Sequence, residues 1–217
     1  MVIYLEKPGA STVTKLEAMK KEAADTNVAI CMEYHNKNIC KYVLKGHEFA
    51  ASNPVPHVTF VSNNTCEPTA ASLGGFIERN AKGMLKNTAI HELALLALFY
   101  DVNVDNIESV EADKDFYSMQ TRKGPSGKEW TDFDKIKFTI KTKTGKEVSV
   151  QADQCGVDTS YAMVSNVDGK ELFRHCMPDE EDKANVSILE ATYPGAMTCF
   201  FSQDPDYVPM KERVAKI

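Results

Sequence analysis

Several features that would assign a function directly are missing from this sequence of 217 residues. It has no run of roughly 18 uninterrupted apolar residues, so no membrane-spanning helix is expected. Its six cysteines include no C-x-x-C pair, which argues against a structural zinc site and a dense disulfide framework. The formal charge of −6 argues against a general nucleic-acid binder. We therefore expect neither a membrane nor a nucleic acid among its partners.

Targeting signals are missing as well. Residues 1–7 form a strand-like run without a basic region followed by an apolar one, so a cytoplasmic protein is expected. Hydrophobic residues make up 43% and charged residues 26% of the sequence, which is the balance of a globular protein that can bury a core. No repeat or linker divides the sequence, which predicts one α+β domain over residues 1–217.

The first part of the sequence mixes helical and strand-like segments. A surface helix is predicted over 11–25, where Ser11 or Thr12 can cap the first turn. Two strand-like runs over 28–34 and 39–45 surround a polar turn, and we expect them to pair as a hairpin.

Residues 89–100 form the most hydrophobic stretch of the sequence. The stretch is apolar almost all round, which is typical of a buried helix, and it is too short to cross a bilayer. From residue 105 onward the pattern has period two, with a polar loop predicted over 122–131 and hairpins over 136–151, 161–176 and 186–201. The expected fold class is α+β, with a mostly antiparallel sheet packed on one or two buried central helices.

The predicted buried helix carries two polar residues near its start, His91 and Glu92. These two residues match the first two positions of the helical zinc-protease motif H-E-x-x-H, but Leu95 stands at the second histidine position. One interpretation is a core histidine beside a glutamate at the helix start, because buried polar groups are normally partnered. A second is a buried catalytic acid–base pair, and a third is a metal-dependent enzyme that adds one distant histidine. We assign no metal ligands, because no complete ligand motif is present.

Two cysteines are candidate nucleophiles. Cys155 lies beside a glycine, which favours an accessible thiol, whereas two neighbouring aspartates disfavour the reactive thiolate. Cys176 directly follows an arginine and a histidine, but adjacent side chains of a strand face opposite sides of the sheet. The alternative for both is a reduced thiol without a catalytic role.

The order of these segments resembles the OsmC/Ohr-like proteins. The predicted hairpin leads to Gly46-His47-Glu48-Phe49, and a helical segment with Gly74-Gly75 precedes the buried helix. Residues 101–113 then give a short polar turn followed by a strand, and residues 134–140 resemble the strand that comes next in that family. The resemblance covers residues 28–166 and rests on the pattern of elements.

This resemblance implies an intertwined dimer. Many such proteins reduce organic hydroperoxides with a peroxidatic cysteine in the buried helix and a resolving cysteine later in the chain. Here the buried helix holds no cysteine, and Cys155 is the positional candidate for the later one. Thiol peroxidase chemistry requires a thiolate, so the resemblance leaves the activity open.

Two functions remain as expectations from the sequence. The first is a small-molecule-binding or stress-related protein of OsmC-like build, either a divergent thiol-dependent enzyme with Cys155, Cys176, His91 and Glu92 as candidate catalytic residues, or a non-catalytic relative. The second is a non-enzymatic binding or assembly protein that uses a sheet face or a sheet edge. The expected partners are a second copy in a homodimer and a small-molecule ligand. No cofactor is predicted, because Gly74-Gly75 is too little for a dinucleotide-binding fingerprint.

Overall fold

The computed structural model describes residues 2–5, 7, 9–32, 41–53, 57–63, 69–79, 83–87, 89–156 and 160–192. In chain order these residues form β1 (Val2–Leu5), α1 (Val13–Asp25), β2 (Ala29–Met32), α2 (Lys41–Ala51), β3 (His57–Asn63), α3 (Ala70–Arg79), α4 (Met84–Asn87), α5 (Ile90–Phe99), β4 (Ile107–Ala112), β5 (Ser118–Lys123), β6 (Glu129–Thr142), β7 (Glu147–Asp153), β8 (Ser160–Ser165), β9 (Glu171–Met177) and α6 (Glu180–Thr192).

The first three elements form a parallel β-α-β unit. β1 and β2 pair in parallel, with Val2 opposite Ala29, and α1 is the crossover helix between them. The Thr12 hydroxyl accepts a hydrogen bond from the amide of Lys15 at 3.3 Å, which confirms the predicted cap of this helix. No side chain of α1 is buried.

The remaining strands form one seven-stranded mixed sheet. Its order is β4-β6-β7-β3-β8-β9, and β5 pairs with the first half of β6. β3 and β7 run parallel, with Val58 opposite Val148, whereas β3 and β8 run antiparallel. The predicted α+β class is confirmed in this coarse form. The expected mostly antiparallel sheet is replaced by a mixed one, because β7 joins β3 in parallel.

The core lies between one face of this sheet and helices α2, α4 and α5. Phe60 of β3 and Val150 of β7 have no exposed surface, and they lie in the same cross-strand row. Leu95 and Leu96 of α5 are 1% and 0% exposed, whereas Leu98 is 51% exposed, so the helix predicted from the apolar run is buried on one face only. The inner face of the sheet and α5 therefore share one continuous core.

Three sequence predictions about local structure are wrong. The strand expected over 39–45 is replaced by α2, whose Gly46 lies so close to β8 that an added Cβ would be 2.7 Å from the Cβ of Ala162. The polar loop expected over 122–131 is a tight hairpin between β5 and β6. The hairpin expected over 186–201 is not formed in its first part, because residues 186–192 belong to α6, and residues 193–201 lie outside the described chain.

Candidate active site

The central helix α5 packs against the mixed sheet. Its last residues lie beside the start of β3, since Phe99 and Tyr100 line the same cleft as His57 and Val58. The short helix α4, which precedes it, is held at the opposite end, where the amide of Met84 donates to Asp132 at 2.8 Å. The first turn of α5 therefore lies at the end of the sheet where β3 and β7 finish.

His91 and Glu92 occupy this first turn and are both buried, with 8% and 1% of their surface exposed. Neither side chain is without an interaction partner. A carboxylate in the first turn of a helix is stabilised by the unpaired amides there and by the helix dipole. An imidazole next to it can accept or donate a proton at neutral pH, so the pair has the chemistry of a general acid–base group.

Further polar residues that the sequence analysis missed lie at this same end of the sheet. Gln154, directly after β7, is 1% exposed, and its amide donates to the backbone oxygen of Asp134 at 2.8 Å. The pairing of β5 with β6 skips Asp134, and one carboxylate oxygen of that residue is buried without a hydrogen-bond partner among the described residues. Bulges of this kind often re-aim a side chain next to a functional site.

Asp132 lies at the edge of this polar region. Burial raises the pKa of its carboxyl group, while the amides of Phe133 and Met84, which donate to it, act in the opposite direction. The sequence offers only a weak signal for these groups, namely two aspartates at the start of a strand. Only the fold shows that the start of β6 meets α4 and the end of β7.

The two candidate cysteines, Cys155 and Cys176, do not lie close to each other in the structure. Cys155 follows β7, is half-buried, and its amide donates to the Asp153 carboxylate at 2.9 Å. Cys176 lies on β9 opposite Tyr161. β3 and β8 lie between these two positions, so the cysteines are separated by three strand spacings, or roughly 14 Å. Their catalytic assignment, like that of His91 and Glu92, stays a prediction.

Other candidate functions find no matching site in the described part of the chain. The described residues contain no group of three His, Cys, Asp or Glu side chains arranged to hold a metal ion. None of the described helices is long and apolar enough to cross a membrane. Of the six cysteines, Cys31, Cys155 and Cys176 are free thiols with partial exposure, and the other three lie outside the described residues.

Gly74 and Gly75 have a packing role in the structure. Both lie within α3, and a Cβ on Gly74 would collide with the backbone oxygen of Lys123 on β5. These glycines therefore allow the helix to approach the hairpin closely, and they do not open a phosphate-binding turn after a strand.

Comparison with known proteins gives structural neighbours only. No family model and no curated protein matches this sequence. Among the solved structures, an NAD-binding oxidoreductase from Klebsiella pneumoniae superposes with a TM-score of 0.54 at 16% identity, covering 83% of this chain and 51% of that one. An NAD-binding protein from Listeria innocua gives 0.55 at 15% identity, covering 77% and 47%. A myo-inositol dehydrogenase from Corynebacterium glutamicum gives 0.54 at 12% identity, covering 80% and 48%.

These neighbours overturn the OsmC/Ohr-like interpretation. The fold of this chain is shared with these three structures over most of its length. The expected stress-related or thiol-dependent function is therefore wrong, and the non-enzymatic assembly alternative finds no support either. The order of elements misled the sequence comparison, because both folds place a buried helix before a run of strands. The chain spans about half the length of the structures that it matches.

Proposed function

We propose that this chain supplies the substrate-binding and proton-transferring half of an NAD(P)-dependent oxidoreductase. The observation that carries the proposal is the fold shared with oxidoreductases over 77–83% of the chain. The parallel β1-α1-β2 unit supports it, because such units build the dinucleotide-binding domains of α/β enzymes. The mixed sheet beside it then forms the surface that holds the substrate.

The chemistry assigned to this chain is the movement of a proton. In such a reaction NAD(P)⁺ would accept the hydride that leaves a carbinol carbon, and the proton of the attached oxygen would have to pass to a group of the protein. His91 is the group that exchanges this proton, and Glu92 is a second buried ionisable residue of the same helical turn. Both lie at the start of α5, which is packed on the sheet and holds the imidazole in place. Buried, rigidly held acid–base groups of this kind typically contribute about 10²–10⁴-fold to a rate.

The described residues contain no dinucleotide-binding fingerprint. The turn after β1 contains Gly9, with φ +73, and Lys7, but the sequence of that turn is no G-x-G-x-x-G fingerprint. One amide in the first turn of α1, that of Lys15, is capped by the Thr12 side chain. The described residues thus do not fit a dinucleotide pyrophosphate, and the proposal assigns that group to a region outside them.

The proposed substrate is a small polyol. Polar groups at the same end of the sheet as His91 include the Gln154 side-chain amide, the Asp134 carboxylate and the half-buried Asp132. Amide and carboxylate oxygens accept hydrogen bonds from hydroxyl groups, so a molecule with several hydroxyls can contact more of them than a simple alcohol does. The myo-inositol dehydrogenase among the neighbours acts on a substrate of this class.

The binding half of the proposal is tested by NMR on the full chain. Myo-inositol is titrated while the ring resonances of the histidines are followed, and only those of His91 are expected to shift. His91→Gln removes the response, whereas the matched variant His175→Gln on β9 retains it. If glycerol, lactate and myo-inositol all leave the His91 resonances unchanged, the proposed substrate site is wrong.

The catalytic half is tested on the chain purified from the cells that make it, so that any partner completing the cofactor site stays bound. NADH formation from NAD⁺ and a polyol is expected, and His91→Gln should lower the rate by about 10²–10⁴-fold. The assignment of His91 would be contradicted if Cys155→Ser or Cys176→Ser abolished activity while His91→Gln retained it. The expected second copy in a homodimer stays a prediction beside this proposal.

A further inference from the structure

A cleft lies at the C-terminal end of α5, away from His91 and Glu92, and it is not used in the proposed reaction. It has a volume of about 690 Å³ and is bounded by the end of α2, the start of β3 and the turns of the β6–β7 and β8–β9 hairpins. Phe99 and Tyr100, at the end of α5, form part of its wall. Tyr100 lies nine positions after His91. At the helical rise per residue this corresponds to roughly 14 Å along the axis, so the cleft is distinct from the candidate active site.

One wall of the cleft is aromatic. The His47 ring lies 4.8 Å from the Phe99 ring, and it meets the Tyr100 ring edge to face at 5.8 Å. The neighbouring residues of α2 in the lining, Ala50 and Ala51, have small side chains that leave the aromatic wall open. A flat ring is the ligand group that makes the largest contact with such a wall.

Tyr100 lines the cleft, and its hydroxyl is buried without a hydrogen-bond partner among the described residues. Burial raises the pKa of Tyr100 far above its ordinary value, so the hydroxyl stays protonated and remains a donor at all physiological pH values. A buried donor without an acceptor costs free energy. An acceptor on a bound ligand would recover that cost once a small side-chain rotation opens the path to the hydroxyl.

The lining of the cleft carries one glutamate, Glu147, and one lysine, Lys146. The Glu147 carboxylate lies 3.1 Å from Nδ1 of His57, and Nε2 of the same ring lies 2.8 Å from the Ser149 hydroxyl, so this acid is already engaged. The ammonium of Lys146 has no ion pair among the described residues. It therefore remains as the cation available to a ligand.

The two hairpin turns give the cleft a preformed shape. Three hydrogen bonds join Thr142 and Lys146 in the β6–β7 turn. The Thr142 amide and hydroxyl donate to the Lys146 backbone oxygen at 2.9 and 3.2 Å, and the hydroxyl accepts from the Lys146 amide at 3.0 Å. In the β8–β9 turn the Asn166 side-chain oxygen accepts from the amides of Asp168 and Lys170. A preformed cleft loses little conformational entropy when a ligand enters.

We propose that this cleft binds a small aromatic carboxylate, with the ring against Phe99 and His47 and the carboxylate between Lys146 and the Tyr100 hydroxyl. The proposal is independent of the oxidoreductase function, because it uses neither His91 nor any other residue at that end of the sheet. Neither an aliphatic acid nor a neutral aromatic alcohol can satisfy both the aromatic wall and the cation.

The test uses the full chain and benzoate as the probe, with acetate and benzyl alcohol as comparison ligands. Binding is followed by NMR through the ring resonances of His47 and His57. Benzoate is expected to bind at least tenfold more tightly than either comparison ligand. Lys146→Gln should weaken benzoate about three- to tenfold, since it removes a charge-assisted hydrogen bond, whereas Lys170→Gln on the neighbouring turn should leave affinity unchanged.

Tyr100→Phe separates binding from folding. Removing the unpaired hydroxyl should leave the free protein as stable or slightly more stable, yet weaken benzoate by about threefold or more. Tyr117→Phe is the matched control, because Tyr117 is exposed and does not line the cleft. The proposal is overturned if benzoate does not bind at millimolar concentration, if acetate or benzyl alcohol binds equally well, or if Lys146→Gln and Tyr100→Phe bind benzoate like the unchanged chain.

Discussion

The parallel β1-α1-β2 unit and the seven-stranded mixed sheet differ sharply in how much of their apolar surface they bury. Five successive residues of β3, from Val58 to Ser62, are buried. In contrast, α1 buries none of its residues, and Val2 and Ile3 of β1 are 46% and 40% exposed. An apolar groove of about 470 Å³ lies within the small unit, lined by side chains that include Ile3, Met19 and Ile30.

This difference shows that the two regions reach stability in different ways. Parallel strands usually have both faces covered, and a two-stranded sheet is marginal in water. The mixed sheet has seven strands and one face covered by α2, α4 and α5, whereas the described residues offer no comparable cover for β1 and β2. We therefore expect the mixed sheet to set the global unfolding free energy and the small unit to open locally.

The largest effect is expected from a cavity in the core of the mixed sheet. Phe60→Ala removes a fully buried ring that lies edge to face with Tyr100, so the free energy of unfolding should fall by about 3–5 kcal/mol. The matched change in the small unit is Leu16→Ala, at a residue that is 37% exposed, and it should lower the value by no more than about 1 kcal/mol. Urea denaturation measures both, and equal losses would contradict the comparison.

A smaller effect is expected where α3 meets β5. Gly74→Ala brings a Cβ against the backbone oxygen of Lys123, and backbone cannot move aside cheaply, so a loss of about 1–3 kcal/mol is expected. Gly75→Ala is the matched control, because its new Cβ would lie 3.7 Å from the nearest atom of Arg79, an ordinary contact. This second variant should be neutral or up to about 1 kcal/mol more stable through helix propensity. If both variants lose stability equally, the close approach at Gly74 is not the cause.

Helix α2 shows why local patterns misled the sequence analysis. The alternation over 39–45 favours a strand, and Gly46 discourages extension of a helix through that point. In the structure the missing side chain of Gly46 is what lets the helix lie against Ala162. Contacts with a strand more than a hundred residues away thus outweigh the local preference, and a single sequence does not contain that information.

The site illustrates the same division between local and distant information. His91 and Glu92 could be found from the sequence, because two polar residues stand out in an apolar helix. Gln154 and Asp134 could not, because only the pairing of β6 with β7 and the irregular pairing of β5 with β6 bring them together at one end of the sheet. Polar residues at strand ends are common, so their pattern alone carries no such assignment.

The third prediction concerns local opening of the small unit. Thr12→Ala removes the side-chain cap of α1, which should cost about 1 kcal/mol of helix stability. Because the unit opens independently, amide hydrogen exchange in α1 should become about fivefold faster, while the urea midpoint of the whole chain stays the same. A lower urea midpoint without faster exchange in α1 would show that the two regions unfold together.

The smallest effects are expected from two aspartates of the mixed sheet, and they should have opposite signs. Burial raises the folded-state pKa of Asp132, so its protonated form is favoured by folding. This stabilisation is present below the unfolded pKa and is lost as pH rises through the folded value. The hydrogen bond from Lys137 lowers the pKa of Asp113, whose stabilisation is present above the unfolded pKa and is lost as pH falls through the folded value.

Comparison with the neutral variants isolates these two contributions. As pH rises from about 3 to about 6, the unchanged chain should lose stability relative to Asp132→Asn. Over the same range it should gain stability relative to Asp113→Asn. Urea midpoints across this range give both differences. Because both carboxyl groups belong to the mixed sheet, these two substitutions should leave the pH dependence of amide exchange in α1 unchanged. If these substitutions also changed the pH dependence of amide exchange in α1, the small unit would be coupled to the mixed sheet despite the exposed apolar groove of the small unit.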